Sequence, residues 1–430
     1  MKMGPKLGLF SGEAGQIFKG MITLLMGAGL ARLLSIISIP ILTRIYSPED
    51  YGTLALYTSL IAILIPVLTF RYTQAIPLPR NVNLAFGLLL LCLVLILLWS
   101  IVLVLLFVFF GKHVFEYLNF QVLNSWWLLI VLGAVGGAVY ETFTMWAVRS
   151  RSYALVSKIQ VRQSFVGESI KIVLGLLGFK PVGLLVGQAI TQSYGAFDYF
   201  KSGQKDFKKL LWGGQKTRNF LASLKLFANF PFFRLPSDLL LVLSVQAPLL
   251  ITAAVFSKEI TGQLSLAIMA LSLPVSLIGA AISRAYYAEI AALGRTKLER
   301  IKKITFSIQK KLFLIGFPLT IVVFFTSEFL FVSLFGDDWL LAGVFSSILS
   351  PYVLLQFTSS PLMQVVNVVG RQSTYFYLNL GRVIGLALIY WVAKEYMFSA
   401  KVFVTVLSVY LSFYYLVQTL VIMFLISKKG

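Results

Sequence analysis

Between Phe86 and Phe110 the chain reads "FGLLLLCLVLILLWSIVLVLLFVFF", without a single charge. A helix of about 20 apolar residues is enough to cross the ~30 Å hydrocarbon layer of a bilayer. Runs of this kind recur along all 430 residues. Only 12% of the residues are charged, where a soluble domain carries roughly 25%. The mean hydropathy is +0.87. Strands of a membrane barrel alternate apolar and polar residues, and these runs do not. The expected fold is an all-α polytopic membrane protein of about twelve transmembrane helices. Their predicted spans are near 16–43, 49–70, 82–110, 125–148, 153–178, 181–200, 232–255, 259–284, 305–333, 339–369, 373–396 and 400–427.

The net charge of +21 is expected to orient the chain rather than to bind nucleic acid, because Lys and Arg collect in cytoplasmic loops. With both termini cytoplasmic, about 25 of the 37 Lys and Arg fall in cytoplasmic segments and about six in external loops. The first apolar run continues past Arg32 to Pro40 with no small-residue cleavage site, so no cleavable signal peptide is expected. The one cysteine, Cys92, leaves no intramolecular disulfide and no cysteine-based metal cluster. The one histidine, His113, falls in a predicted short loop after the third run and has no evident partner for base catalysis.

A polar interruption, "IYSPEDYGTLALYTSL" (Ile45 to Leu60), has a faded copy in "FSKEITGQLSLAIMAL" (Phe256 to Leu271). Ser47, Glu49 and Gly52 match Ser257, Glu259 and Gly262 in spacing. Locally the motif starts a helix: Ser47 as N-cap, Pro48 at the first helical position, Glu49 and Asp50 in the first turn. Gly52 would let its helix approach a neighbour closely. Both copies fall at the predicted external turn between the first and second helix of a half. That repetition predicts two six-helix bundles related by a pseudo-two-fold along the membrane normal. The bundles are expected at residues 1–205 and 220–430, joined by a basic cytoplasmic linker at 206–219.

Ionisable residues inside predicted spans are costly unless paired or hydrated, and so mark candidate sites. Arg32 lies about a dozen residues, ~18 Å, from the external end of its helix, and only a polar cavity or a partner acid would tolerate it. Arg382 sits about ten residues into its helix, with the same implication. Arg162, Arg234 and Arg284 (the last at the predicted end of the eighth helix) lie near cytoplasmic boundaries, where snorkelling is an equal alternative. Glu168 and Lys171, three residues apart, can pair on one helix face without any ligand. Glu141, Asp198 and Asp238 are the other candidate coupling or charge-pairing acids. Cations outnumber acids in the predicted interior, which favours an anionic ligand, and the planar arginine fork suits phosphate. The chain shows no Gly-rich phosphate loop, no HExxH and no nucleophile with a plausible base, so neither an enzyme nor a resident metal or cofactor is expected.

"TRIYSPEDYGTLALYTSLIAILIPVLTFRYTQAIPLPR" (Thr43 to Arg80) resembles the opening of the bacterial polysaccharide-exporter family that includes the O-antigen flippases. "FPFFRLPSDLLLVLSVQAPLLITAAVFSKEITGQLSLAIMALSLPVSLIGAAISRAYYAEI" (Phe230 to Ile290), "MWAVRSRSY" and "VVGRQ" resemble other segments of that family, which belongs to the multidrug/oligosaccharidyl-lipid/polysaccharide exporter superfamily. The chain departs from the family at Thr73, where an acid is frequent, and at "AYYAE", preceded by Arg284, where Phe-Phe-Pro is frequent.

The resemblance implies a flippase of the bacterial cytoplasmic membrane that moves an undecaprenyl-diphosphate-linked oligosaccharide outward by alternating access, coupled to protons or sodium. Its implied partners are the lipid-linked oligosaccharide, membrane lipids and other polysaccharide assembly proteins. Arg32 and Arg382 would then clamp the diphosphate, Arg284, Arg234 and Arg71 would form a cytoplasmic receiving ring, and Arg162 and Lys171 would add to the cavity. Two rivals stay open. A cation-coupled drug exporter of the same superfamily would favour acids and aromatics in its cavity, and a membrane polymerase or glycosyltransferase would need a sizeable external loop.

Overall fold

The computed structural model describes residues 12–117, 119–211, 216–294, 297–369 and 372–427. The regular structure among them is helical: α1 (Gly12–Ile45), α2 (Pro48–Thr69), α3 (Val82–Tyr117), α4 (Trp127–Arg149), α5 (Tyr153–Leu176), α6 (Val182–Leu211), α7 (Lys216–Leu226), α8 (Leu235–Val255), α9 (Lys258–Pro274), α10 (Ala280–Leu293), α11 (Leu298–Phe335), α12 (Leu340–Ser359), α13 (Gln364–Val369), α14 (Gln372–Glu395) and α15 (Ala400–Ser427). Among the described residues, nine helical stretches are long and apolar enough to cross a membrane. Burial on α3 runs mainly from Ala85 to Ile96, and Leu97, Phe109 and Phe110 point outward. Such an apolar outer surface is stable only against lipid.

Two stop signals differ from the sequence reading. His113 lies inside α3, not in a loop, because no Gly–Pro break follows Phe110 and the helix runs on to Tyr117. Arg284 is not at a helix end either. After Pro274 the chain widens into a π-helical stretch, Val275–Gly279, and continues as α10 to Leu293, where Gly294 turns it at a φ of 64°. A π segment re-routes the backbone hydrogen bonds freed by a proline without ending the helix. Of the predicted linker at 206–219, residues 206–211 close α6 and 216–219 open α7; residues 212–215 lie outside the described set.

The described residues pack as two units, one up to residue 46 and from 57 to 239, the other from 47 to 56 and from 240 onward, so that α2 and α8 are each divided between them. In the first unit α1 lies along α5, α5 on α6, α4 on α6, and α3 against α4 and α7. Phe86, Phe143, Val156 and Tyr199 form one of its cores. In the second unit α12 is central and packs on α9, α11 and α15. Its core gathers Leu264, Phe345, Leu349, Phe403 and Leu407.

The repeated motif meets itself within the second unit. Ser257 caps α9 by accepting from the Ile260 amide at 3.3 Å. Ser47 and Asp50 form a reciprocal box: the Asp50 amide donates to Ser47 Oγ at 3.3 Å and the Ser47 amide to Asp50 Oδ2 at 3.0 Å. A Cβ on Gly52 would run into the carbonyl oxygen of Lys258, and one on Gly262 into that of Pro48. Glycine is therefore required at both positions by direct backbone approach, and the contact is reciprocal, as a local two-fold produces.

Candidate functional site

Among the described residues, three constellations hold the ionisable side chains most relevant to a site, and they differ in whether their charges are already matched. The first begins where α2 stops. Phe70 and Arg71 adopt left-handed φ values of 47° and 60°, and a short 3₁₀ turn, Tyr72–Ala75, follows. Two successive non-glycine residues in this region cost roughly 1–3 kcal/mol each, so the surroundings must hold them. They do so with charge. Arg71 Nη1 donates to Glu141 Oε1 on α4 at 3.1 Å, and its Nε lies 2.9 Å from Asp238 Oδ2, off the line of a good hydrogen bond. Thr73 Oγ1 also donates to Glu141 Oε1, at 3.2 Å. Gln74 Nε2 donates to Asp238 Oδ2 at 3.1 Å and Gln74 Oε1 accepts from Arg234 Nε at 2.9 Å. Arg234 Nε completes the set 3.5 Å from Asp238 Oδ1. Two cations face two acids, so Arg71 and Arg234 are matched internally.

The second constellation ties α1, α5 and α6 together. Lys171 Nζ donates to Glu168 Oε1 at 3.1 Å and to Gln188 Oε1 at 2.9 Å. Ser35 and Ser38 donate to the two oxygens of Glu168, at 3.2 and 2.9 Å. Glu168 and Lys171 are both buried. A buried ion pair with its remaining lone pairs satisfied is a structural tie, and it leaves no spare charge for a ligand. Arg162 makes a more exposed pair with Asp198 on α6, at 3.0 Å.

The third constellation is unmatched. Arg382 on α14 is 7% exposed, makes no ion pair among the described residues, and leaves its Nε without a hydrogen-bond partner. Its guanidinium carbon lies 5.3 Å from the centre of the Tyr414 ring and 5.6 Å from that of Tyr415, both on α15. Tyr410, a turn earlier on α15, donates to the Gly381 and Arg382 carbonyls at 3.1 Å each, which fixes α14 against α15. Tyr352 on α12 stacks on Tyr415 with ring centres 6.3 Å apart. Cation–π contacts stabilise a guanidinium by about 0.5–2 kcal/mol and leave its in-plane donors available to an anion. Of the other sequence candidates, Arg32 lies on α1 in the first unit, and Arg284 is exposed on α10 in the second.

The profile of a family described as "Polysaccharide biosynthesis protein" matches residues 41–343, more than half of the chain. The chain belongs to this family. Its region of similarity to the teichuronic acid biosynthesis protein TuaB of Bacillus subtilis is 26% identical over 161 residues, 37% of this chain and 33% of that relative, so the match spans a third of the relative's length. The fold is similar over 94% of both chains to a multidrug resistance MATE family transporter of the MOP superfamily in an inward-facing conformation (13% identity, TM-score 0.67). It is similar over the full length of both chains to an outward-facing structure of that description (14% identity, TM-score 0.54). As a member of this family, the chain is an all-α polytopic membrane protein, and its fold is the one those transporter structures share.

Sequence reasoning found Arg71, Glu141, Arg234 and Asp238 singly but not as one network. It missed Thr73 and Gln74 as members, and the tyrosines around Arg382. The tyrosine signal was present in "YLSFYYLVQ" (Tyr410 to Gln418), where Tyr410 and Tyr414, four apart, share a helix face and Tyr415 follows directly.

Proposed function

We propose that this family member flips a lipid-linked oligosaccharide across the bacterial cytoplasmic membrane, and that Arg382 receives the carrier's diphosphate. One observation carries the reading: a buried arginine with no acid partner among the described residues, held by tyrosine faces. An unpaired buried charge costs several kcal/mol, a cost that an arriving phosphate offsets through fork-shaped, charge-assisted hydrogen bonds. The tyrosine rings also offer stacking faces of the kind that suit a sugar. Outward movement of one negative charge across 100 mV is worth about 2.3 kcal/mol, so the membrane potential assists, and proton or sodium coupling supplies the rest.

The reading includes a topology. The nine apolar stretches are completed by α5, α6 and the α9–α10 helix to twelve crossings, six in each half, with both termini cytoplasmic. Cysteines placed near Lys209 and Lys303 are then shielded from impermeant reagents in intact cells, while one near Asp337 reacts.

A second reading, a cation-coupled drug exporter, is favoured by the exporter fold and by the buried carboxylates Glu168 and Asp238. One pair of measurements on a deletion strain separates the two. Under the flippase reading, loss of the protein leaves lipid-linked glycan on the cytoplasmic leaflet and drug susceptibility unchanged. Raised drug susceptibility with normal surface glycan supports the exporter instead.

A further inference from the structure

In the first unit, a groove of about 520 Å³ runs between α1 and α5, lined by Thr23 and Leu34 on one side and by Ser157, Lys158, Val161 and Phe165 among those on the other. The α5 residues follow one helix face, at steps of three and four. The two helices run in the same direction: Gly27 meets Ser157, the Ser164 hydroxyl donates to the Ala31 carbonyl, and Ser38 donates to Glu168. The groove is therefore graded along its length. Thr23, Ser157 and Lys158 lie toward the start of both helices, and Leu34 and Phe165 lie deeper. From Thr23 to Leu34 is about 16 Å at 1.5 Å per residue, close to half the ~30 Å hydrocarbon layer.

We propose that this groove holds one singly charged anionic phospholipid of the cytoplasmic leaflet, its phosphodiester on Lys158 and its acyl chain along Val161, Leu34 and Phe165. Lys158 is exposed and makes no ion pair among the described residues. Arg162, also at the groove, is matched by Asp198. The local balance is thus one cation in excess, which suits a phosphodiester rather than a diphosphate. Arg149 in the last turn of α4 and Arg151 in the loop before α5 lie where basic residues are expected, at the headgroup level of a cytoplasmic boundary. The leaflet assignment rests on that orientation, whereas the choice of ligand is independent of the flippase reading.

The test is lipid retention by the purified full chain, read by native mass spectrometry after exchange into mixed micelles of phosphatidylglycerol and phosphatidylethanolamine. The expected result is preferential retention of one phosphatidylglycerol. A single basic residue near the membrane surface contributes about fivefold to such binding, so Lys158→Gln should reduce retention by about that factor. Ala154→Trp, which fills the groove without touching charge, should also reduce it, while Lys112→Gln on α3 should not. Equal retention of both lipids overturns the proposal, as does retention unchanged in Lys158→Gln and Ala154→Trp. Displacement of phosphatidylglycerol by an equimolar polyprenyl diphosphate would overturn it too, by assigning the groove to the carrier lipid. Folding of each variant is checked by size-exclusion profile, and Arg382→Gln should retain the lipid normally even if it abolishes transport.

Discussion

Removing Asp238 should uncover how much the turn after α2 depends on its charges. Asp238 is 5% exposed and receives Arg71, Arg234 and Gln74 together. Breaking a buried ion pair from one side costs about 3–5 kcal/mol when the remaining charge is left bare. Here Glu141 still holds Arg71 at 3.1 Å, and Arg234 is half exposed, so the expected loss for Asp238→Asn is about 2–3 kcal/mol. Arg71→Gln should cost a similar amount, since it leaves Glu141 without an ion-pair partner and Asp238 with Arg234 alone, while the left-handed backbone at residue 71 stays in place. Because both changes break the same contact, the double variant should fall short of additivity by about 1–3 kcal/mol. Thermal unfolding of the four proteins in one detergent, followed by tryptophan fluorescence, gives the cycle. Additivity within about 0.5 kcal/mol would refute the idea that the network, rather than local packing, holds the turn.

Further outcomes follow from other contacts. Gly52→Ala and Gly262→Ala should each destabilise by roughly 1–3 kcal/mol, and together by little more than one alone, because each opens the same backbone approach; unfolding midpoints test this. Ser257→Ala should cost about 1 kcal/mol through loss of the α9 cap, seen in the same assay. Lys171→Met should be strongly destabilising, by about 3 kcal/mol, because it strands buried Glu168, whereas Lys171→Met with Glu168→Leu should recover much of that loss.

The spans were legible because bilayer thickness imposes a length on every apolar run, and the Ser-x-Glu-x-x-Gly copies were legible because capping chemistry is local. The Glu168–Lys171 pair could be anticipated from its spacing of three. The Arg71–Asp238 contact could not, since it joins residues far apart in sequence and depends on a left-handed turn that neither Phe70 nor Arg71 announces. The ends of helices were misread at His113 and Arg284 for a related reason. Inside a membrane, water does not compete for backbone groups, so a helix continues through weak stop signals and absorbs Pro274 as a π segment. Depth singled out Arg32 and Arg382 together, and the absence of an acid partner for Arg382 among the described residues is a property of α15 and α12 as packed.

The central claim is that Arg382 acts on the phosphate of a lipid-linked glycan. The direct measurement is transbilayer movement of a polyprenyl-diphosphate oligosaccharide in proteoliposomes containing the purified chain, comparing wild type, Arg382→Lys and Arg382→Gln at equal reconstituted amounts. The account predicts transport by wild type, partial transport by lysine, which keeps the charge without the fork, and at least tenfold slower transport by glutamine, as the loss of a charge-assisted contact of ~1.4 kcal/mol or more implies. Undiminished movement with Arg382→Gln, or no movement above protein-free vesicles with wild type, would contradict it.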